Sequence, residues 1–108
     1  MKEVFEMMEH FEGSFINDNN ELILDRHANI FISIKDCETK SDLIVKFLHW
    51  VSRDCCKNTN SGLRLKLQKG FNSWVGIPFK TSDFYDFYDN FGNGINHDFA
   101  VGTANSMV

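Results

Sequence analysis

Apolar residues recur along this chain with two different periods, and the change of period marks the elements. Val4, Phe5, Met8 and Phe11 fall at helical spacing while Glu3, Glu6 and Glu9 take other directions, which predicts a short amphipathic helix over residues 2–11, stopped by Gly13. From Ser14 to Lys35 the apolar runs shorten to Phe15-Ile16, Leu22-Ile23-Leu24 and Ile30-Phe31-Ile32, separated by Asp18-Asn19-Asn20 and by Asp25-Arg26-His27-Ala28-Asn29. Short β-rich runs between turn formers predict a hairpin or a three-stranded meander.

Helical spacing then returns. Thr39 and Asp42 stand three apart ahead of a new apolar stripe, a capping box with Asp in place of the usual Glu, so a helix should start there. Ile44, Phe47, Leu48, Val51 and Cys55 continue that stripe up to the polar loop Asn58-Thr59-Asn60-Ser61-Gly62. The next stretch is ambiguous. Leu63, Leu65 and Leu67 alternate with Arg64 and Lys66 as in a strand, yet Leu63, Leu67, Phe71 and Trp74 lie on one helical face. Its length and its good helix formers favour the helix. A cap at Thr81 or Ser82 should open another, with Phe84, Phe87, Tyr88 and Phe91 on one face, Asp83, Asp86 and Asn90 on another, and Gly92 as its stop. A final helix is expected from about Asn96 into Ala104 with Phe99 inward, weakened by Gly102. The predicted architecture is α+β: a small antiparallel hairpin or three-stranded meander followed by a cluster of three to four helices, in which Phe47, Leu48, Val51, Phe84, Phe87 and Phe91 are buried together.

The length of 108 residues predicts a single domain over 1–108, and 43% apolar with 24% charged residues is an ordinary globular mix. No run approaches the ~20 apolar residues of a membrane helix, and the start lacks a basic, apolar export signal. Three cysteines, two of them adjacent, make a poor disulfide framework and predict a reducing, cytoplasmic setting. Charge is more telling by segment than in its net of −4: residues 1–52 carry −5, residues 53–80 carry +5, and residues 81–108 carry −4 with no Lys or Arg.

Catalytic and metal chemistry find little support. Cys37, His49, Cys55, Cys56 and His97 form no Cys-x-x-Cys or His-x-x-x-His motif, and Cys55 lies on an apolar stripe where a thiol behaves as a small hydrophobe. Cys56 near Arg53 and Lys57 sits at a helix end whose dipole does not favour a thiolate. Asp83, Asp86 and Asp89 share a solvated helix face rather than bridging a cleft, and Gly92-Asn93-Gly94 lacks the later Gly and Lys of a phosphate loop. A non-enzymatic protein without cofactor is expected.

Two binding surfaces follow. The first is acidic and aromatic, Asp83, Tyr85, Asp86 and Asp89, suited to a basic host protein and able to occupy a site built for phosphates. The second, as the alternative, is a nucleic-acid surface of Arg53, Lys57, Arg64, Lys66 and Lys69. Helices flanking Pro78 have the outline of a helix-turn-helix, but the second would bring Asp83, Asp86 and Asp89 toward a polyanion, which disfavours sequence-specific DNA recognition. At Trp50-Val51-Ser52-Arg53-Asp54-Cys55-Cys56-Lys57 and at Tyr88-Asp89-Asn90-Phe91-Gly92-Asn93-Gly94-Ile95-Asn96-His97 the chain resembles short accessory proteins encoded by phages of low-GC Gram-positive bacteria. That resemblance implies an inhibitor of host machinery acting in the host cytoplasm, anti-CRISPR proteins included, with a CRISPR nuclease as one candidate target. It transfers no catalytic residues.

Overall fold

The computed structural model describes residues 2–58, 60–76 and 96–107, with side chains for all of these except 53–58. Its elements are α1 (Lys2–Met8), β1 (Phe15–Ile16), β2 (Glu21–Asp25), β3 (Ile30–Ser33), α2 (Lys40–Asn58), α3 (Ser61–Val75) and α4 (His97–Met107). This is an α+β fold, a three-stranded antiparallel sheet in the order β1-β2-β3 followed by helices.

The first helix is shorter than its apolar pattern suggests. It ends at Met8, and the chain then turns through His10 N–H to Met7 O (3.0 Å), Phe11 N–H to Met8 O (3.1 Å) and Ser14 N–H to Phe11 O (3.0 Å). Gly13, at φ +80°, closes this turn into β1 rather than the helix. Val4, Met7 and Phe11 are the buried set, and Phe5 faces outward.

The sheet is a meander because polar side chains build its turns. Asn17 Oδ1 accepts the N–H groups of Asn19 and Glu21 at 3.0 Å each, and Asn20 takes φ 56°. Asp25 Oδ1 accepts the Ala28 N–H at 2.8 Å, and Asn29 takes φ 54°. Such Asx turns satisfy backbone groups locally and tolerate the left-handed region. Leu22, Leu24, Ile30 and Ile32 point into the core, while Phe15, Ile23 and Phe31 align across the other face.

The capping box forms in full. Thr39 Oγ1 accepts the Asp42 N–H (3.1 Å), and Asp42 Oδ2 accepts the N–H groups of Thr39 (3.0 Å) and Glu38 (2.9 Å). These two backbone donors hold the Asp42 carboxyl below its ordinary value. The helix they open buries Ile44, Phe47, Leu48 and Val51 completely. Cys55, next on the stripe, has no described side chain. Phe47 is the hub: it stacks on Phe71 at 4.6 Å and 10°, and meets Phe11 at 5.8 Å and Trp50 at 5.6 Å. The α2 stripe thus packs on the α1–β1 turn and on α3, and the expected partners Phe84, Phe87 and Phe91 lie outside the described residues, as does the whole 83–90 helix with its Gly92 stop.

The ambiguous stretch is helix. Asn60 caps α3 by accepting the Leu63 N–H at 2.8 Å, so Ser61 and Gly62 belong to the helix and not to the polar loop. Gly76 closes it at φ 78°, donating its N–H to Asn72 O at 3.0 Å. Mid-helix Gly70 answers to packing. A Cβ there would lie 2.7 Å from His10 O and 2.9 Å from the Phe11 ring, so the missing side chain lets the α1–β1 turn rest on α3.

In α4 the expected inward Phe99 is corrected: Phe99 is 49% exposed, and Ala100, Ala104 and Met107 face α2. Small alanines allow close approach, and Phe99 lies on a different face from this 100/104/107 set. Asn96 caps the helix, accepting the Asp98 N–H at 2.9 Å, and Ser41 Oγ donates to Asn105 Oδ1 at 2.7 Å to fix its far end.

Candidate binding cleft on the third helix

Lys66, Lys69, Gly70 and Ser73 stand at i, i+3, i+4 and i+7, which places them on one face of α3, beside its buried stripe of Leu67, Phe71 and Trp74. The α1–β1 turn comes down on this face because Gly70 admits it. Between turn and helix lies a cleft of about 280 Å³ whose rim carries His10, Glu12, Lys66, Lys69 and Ser73 and whose floor carries Phe11, Leu24 and Leu67. His10 Nδ1 and Ser73 Oγ share a hydrogen bond of 2.8 Å across it.

A hydroxyl on an imidazole has the form of a nucleophile and its base. Among the described residues nothing bonds His10 Nε2, and the backbone N–H groups near Ser73 lie within the helix, leaving no donors to stabilise an oxyanion. The arrangement suits a tie that fixes the turn on α3. What the rim offers a ligand is charge. Lys66 and Lys69 are exposed, and neither makes an ion pair among the described residues. Glu12 is the one carboxylate of the lining.

The sequence-based basic set is only partly assembled here. Lys66 and Lys69 share the cleft, whereas Arg64, two residues before Lys66, emerges on the other flank of the buried stripe. Arg53 and Lys57 fall in the last turns of α2, where side chains are not described. Asp83, Tyr85, Asp86 and Asp89 lie outside the described residues. Sequence reasoning missed His10, Ser73 and Glu12 altogether, although an unexplained glycine within the α3 apolar pattern was a signal that another segment crosses at Gly70.

Of the cysteine and histidine candidates, Cys37 is buried between β3 and α2, and burial pushes its thiol up, with Lys46 opposing and Asp42 and Asp36 adding slightly. A protonated, enclosed thiol is a poor nucleophile. No three His, Cys, Asp or Glu side chains come together as a metal site among the described residues. His49 and His97 do meet, across 48 residues of sequence, with Nε2 and Nδ1 3.4 Å apart. Among the described residues, no helix is long and apolar enough to cross a membrane. No family model, curated protein or solved structure matches the chain.

Proposed function

We propose that the protein is a small non-catalytic binding protein that takes the phosphate backbone of a nucleic acid on the Lys66–Lys69 flank of α3. The observation that carries this reading is the charge of that helix: Arg64, Lys66 and Lys69 with no carboxylate between Ser61 and Val75, two of the three cations meeting at the rim of a cleft. Side chains one turn apart have Cβ atoms about 5–6 Å apart, and flexible lysine stems let two ammonium groups reach neighbouring phosphates. The net charge of −4 does not forbid this, since fields from distant carboxylates are screened beyond about 8 Å at physiological salt. Neutralisation of phosphates by the two lysines makes the binding salt-sensitive through counterion release. Fluorescence anisotropy with labelled single- and double-stranded oligonucleotides at low salt is the test. The double variant Lys66→Ala, Lys69→Ala should bind at least tenfold more weakly, about 1.4 kcal/mol. Glu12→Gln, which removes the one repelling carboxylate, should bind more tightly. No binding by the parent protein, or equal affinity in the double variant, ends this reading.

A second reading draws on the last segment, where residues 81–108 hold Asp83, Asp86, Asp89 and Asp98 without any Lys or Arg. On it, Asp83, Tyr85, Asp86 and Asp89 face a basic surface of a host protein and the chain acts as a phage-type inhibitor, with a CRISPR nuclease as one target. Changing Asp83, Asp86 and Asp89 together to Asn should then weaken binding to that nuclease at least tenfold and leave oligonucleotide binding intact.

A further inference from the structure

We infer that the cleft beside Lys66 and Lys69 seats one unpaired nucleobase, which rests on the phosphate contact proposed for those lysines and makes the ligand a single strand rather than a duplex. The cleft has two unlike walls over an apolar floor. Lys66 and Lys69 stand on the α3 wall, Glu12 belongs to the α1–β1 turn that forms the other, and Phe11, Leu24 and Leu67 close the bottom.

Charge decides what lies where. A phosphodiester backbone is drawn to the α3 wall and repelled by the Glu12 carboxylate, so it runs along the helix and does not descend between the walls. A neutral, flat base carried on that backbone takes the remaining space, over an apolar floor on which a phosphate would lose its hydration without gaining a partner. The volume of about 280 Å³ lies just under the roughly 300–1,000 Å³ of pockets for drug-sized ligands, which is room for one ring system and not for a base pair with its neighbours. In a duplex the faces of each base are covered by the stack, and entry would require unstacking and unpairing, most of which a single strand avoids. At the rim, nothing among the described residues bonds His10 Nε2, and an imidazole nitrogen suits any base, since all of them carry hydrogen-bonding groups on their edges. The seat is therefore tolerant of sequence.

The test compares three DNA probes of equal length on the full chain at one low salt concentration: a mixed-sequence single strand, the same strand annealed to its complement, and a strand whose central nucleotides are abasic. The intact single strand should bind about fivefold or more tightly than either of the others, the scale of one seated base. A second readout is independent of affinity: the ring current of a seated base should move the methyl NMR signals of Leu24 and Leu67, and the abasic strand should leave them in place. Ser73→Leu, which pushes a branched side chain into the cleft from an exposed position, should reduce the advantage of the intact strand over the abasic one. Equal affinity for intact and abasic strands, with Lys66→Ala, Lys69→Ala still weakening both, would overturn the base seat and leave the phosphate contact standing. Absence of binding to all three probes would remove both. Displacement of the strand by an acidic phenylalanine-containing peptide that moves the same methyl signals would assign the cleft to a protein partner and overturn the seat as well.

Discussion

Gly70 and Gly102 both sit inside helices, and a methyl group added to each should move stability in opposite directions. At Gly102 a Cβ meets nothing within 4 Å, so Gly102→Ala should gain about 0.8–1 kcal/mol of helix propensity. At Gly70 it meets the His10 carbonyl and the Phe11 ring inside 3.0 Å, so Gly70→Ala should lose about 1–3 kcal/mol through overpacking, and should open the cleft. Urea denaturation of the two variants gives both signs, and a stabilised Gly70→Ala would mean that the α1–β1 turn does not rest on α3. Asp42 supplies a pH dependence at the same scale. Its carboxyl is held below the unfolded value of 3.8 by the N–H groups of Glu38 and Thr39, so its contribution is present above that value and lost as the pH falls through the lower folded one. The stability difference between the parent and Asp42→Asn should therefore be largest near neutrality and shrink on acidification. This capping box was legible in the sequence because three residues carry it without tertiary help. Phe99 was not, because which face of α4 turns inward depends on how closely α2 approaches, and the face that packs carries Ala100, Ala104 and Met107.

At the level of elements, the stretch from Leu63 to Leu67 shows what sequence patterning can and cannot decide. Alternating leucines satisfy a strand as well as a helix, and only the continuation to Phe71 and Trp74 tips the balance. The two readings predict different energetics. In a strand Leu65 and Leu67 would share a face and cost alike on truncation, whereas in α3 Leu67 is buried and Leu65 is 51% exposed. Leu67→Ala should cost about 2–5 kcal/mol and Leu65→Ala within about 0.5 kcal/mol, read from the midpoints of chemical denaturation. Similar losses at both would put the phase of α3, and with it the grouping of Lys66 with Lys69, in error. The sheet was readable as a meander because Asn17, Asn20, Asp25 and Asn29 build its turns by local bonds. The length of α1 was not, because its last turn yields to the tighter path that brings Phe11 onto Phe47.

For the whole molecule, the informative contacts are those between segments far apart in sequence. The Phe11–Phe47–Phe71 cluster gathers the α1–β1 turn, α2 and α3 around one point and so sets the gap between that turn and the Lys66–Lys69 flank. No sequence period reports such a gap, which is why the basic segment was visible as composition while His10, Glu12 and Ser73 at its rim were not. The claim that this rim engages phosphates is tested most directly by the salt dependence of oligonucleotide affinity. Each lysine neutralising a phosphate contributes about 0.7–0.9 to the slope of log affinity against log salt, through release of a condensed counterion. The parent protein should show a steep negative slope, and Lys66→Ala, Lys69→Ala should flatten it by about 1.4–1.8. Binding whose slope is the same with and without the two lysines would contradict the proposed site.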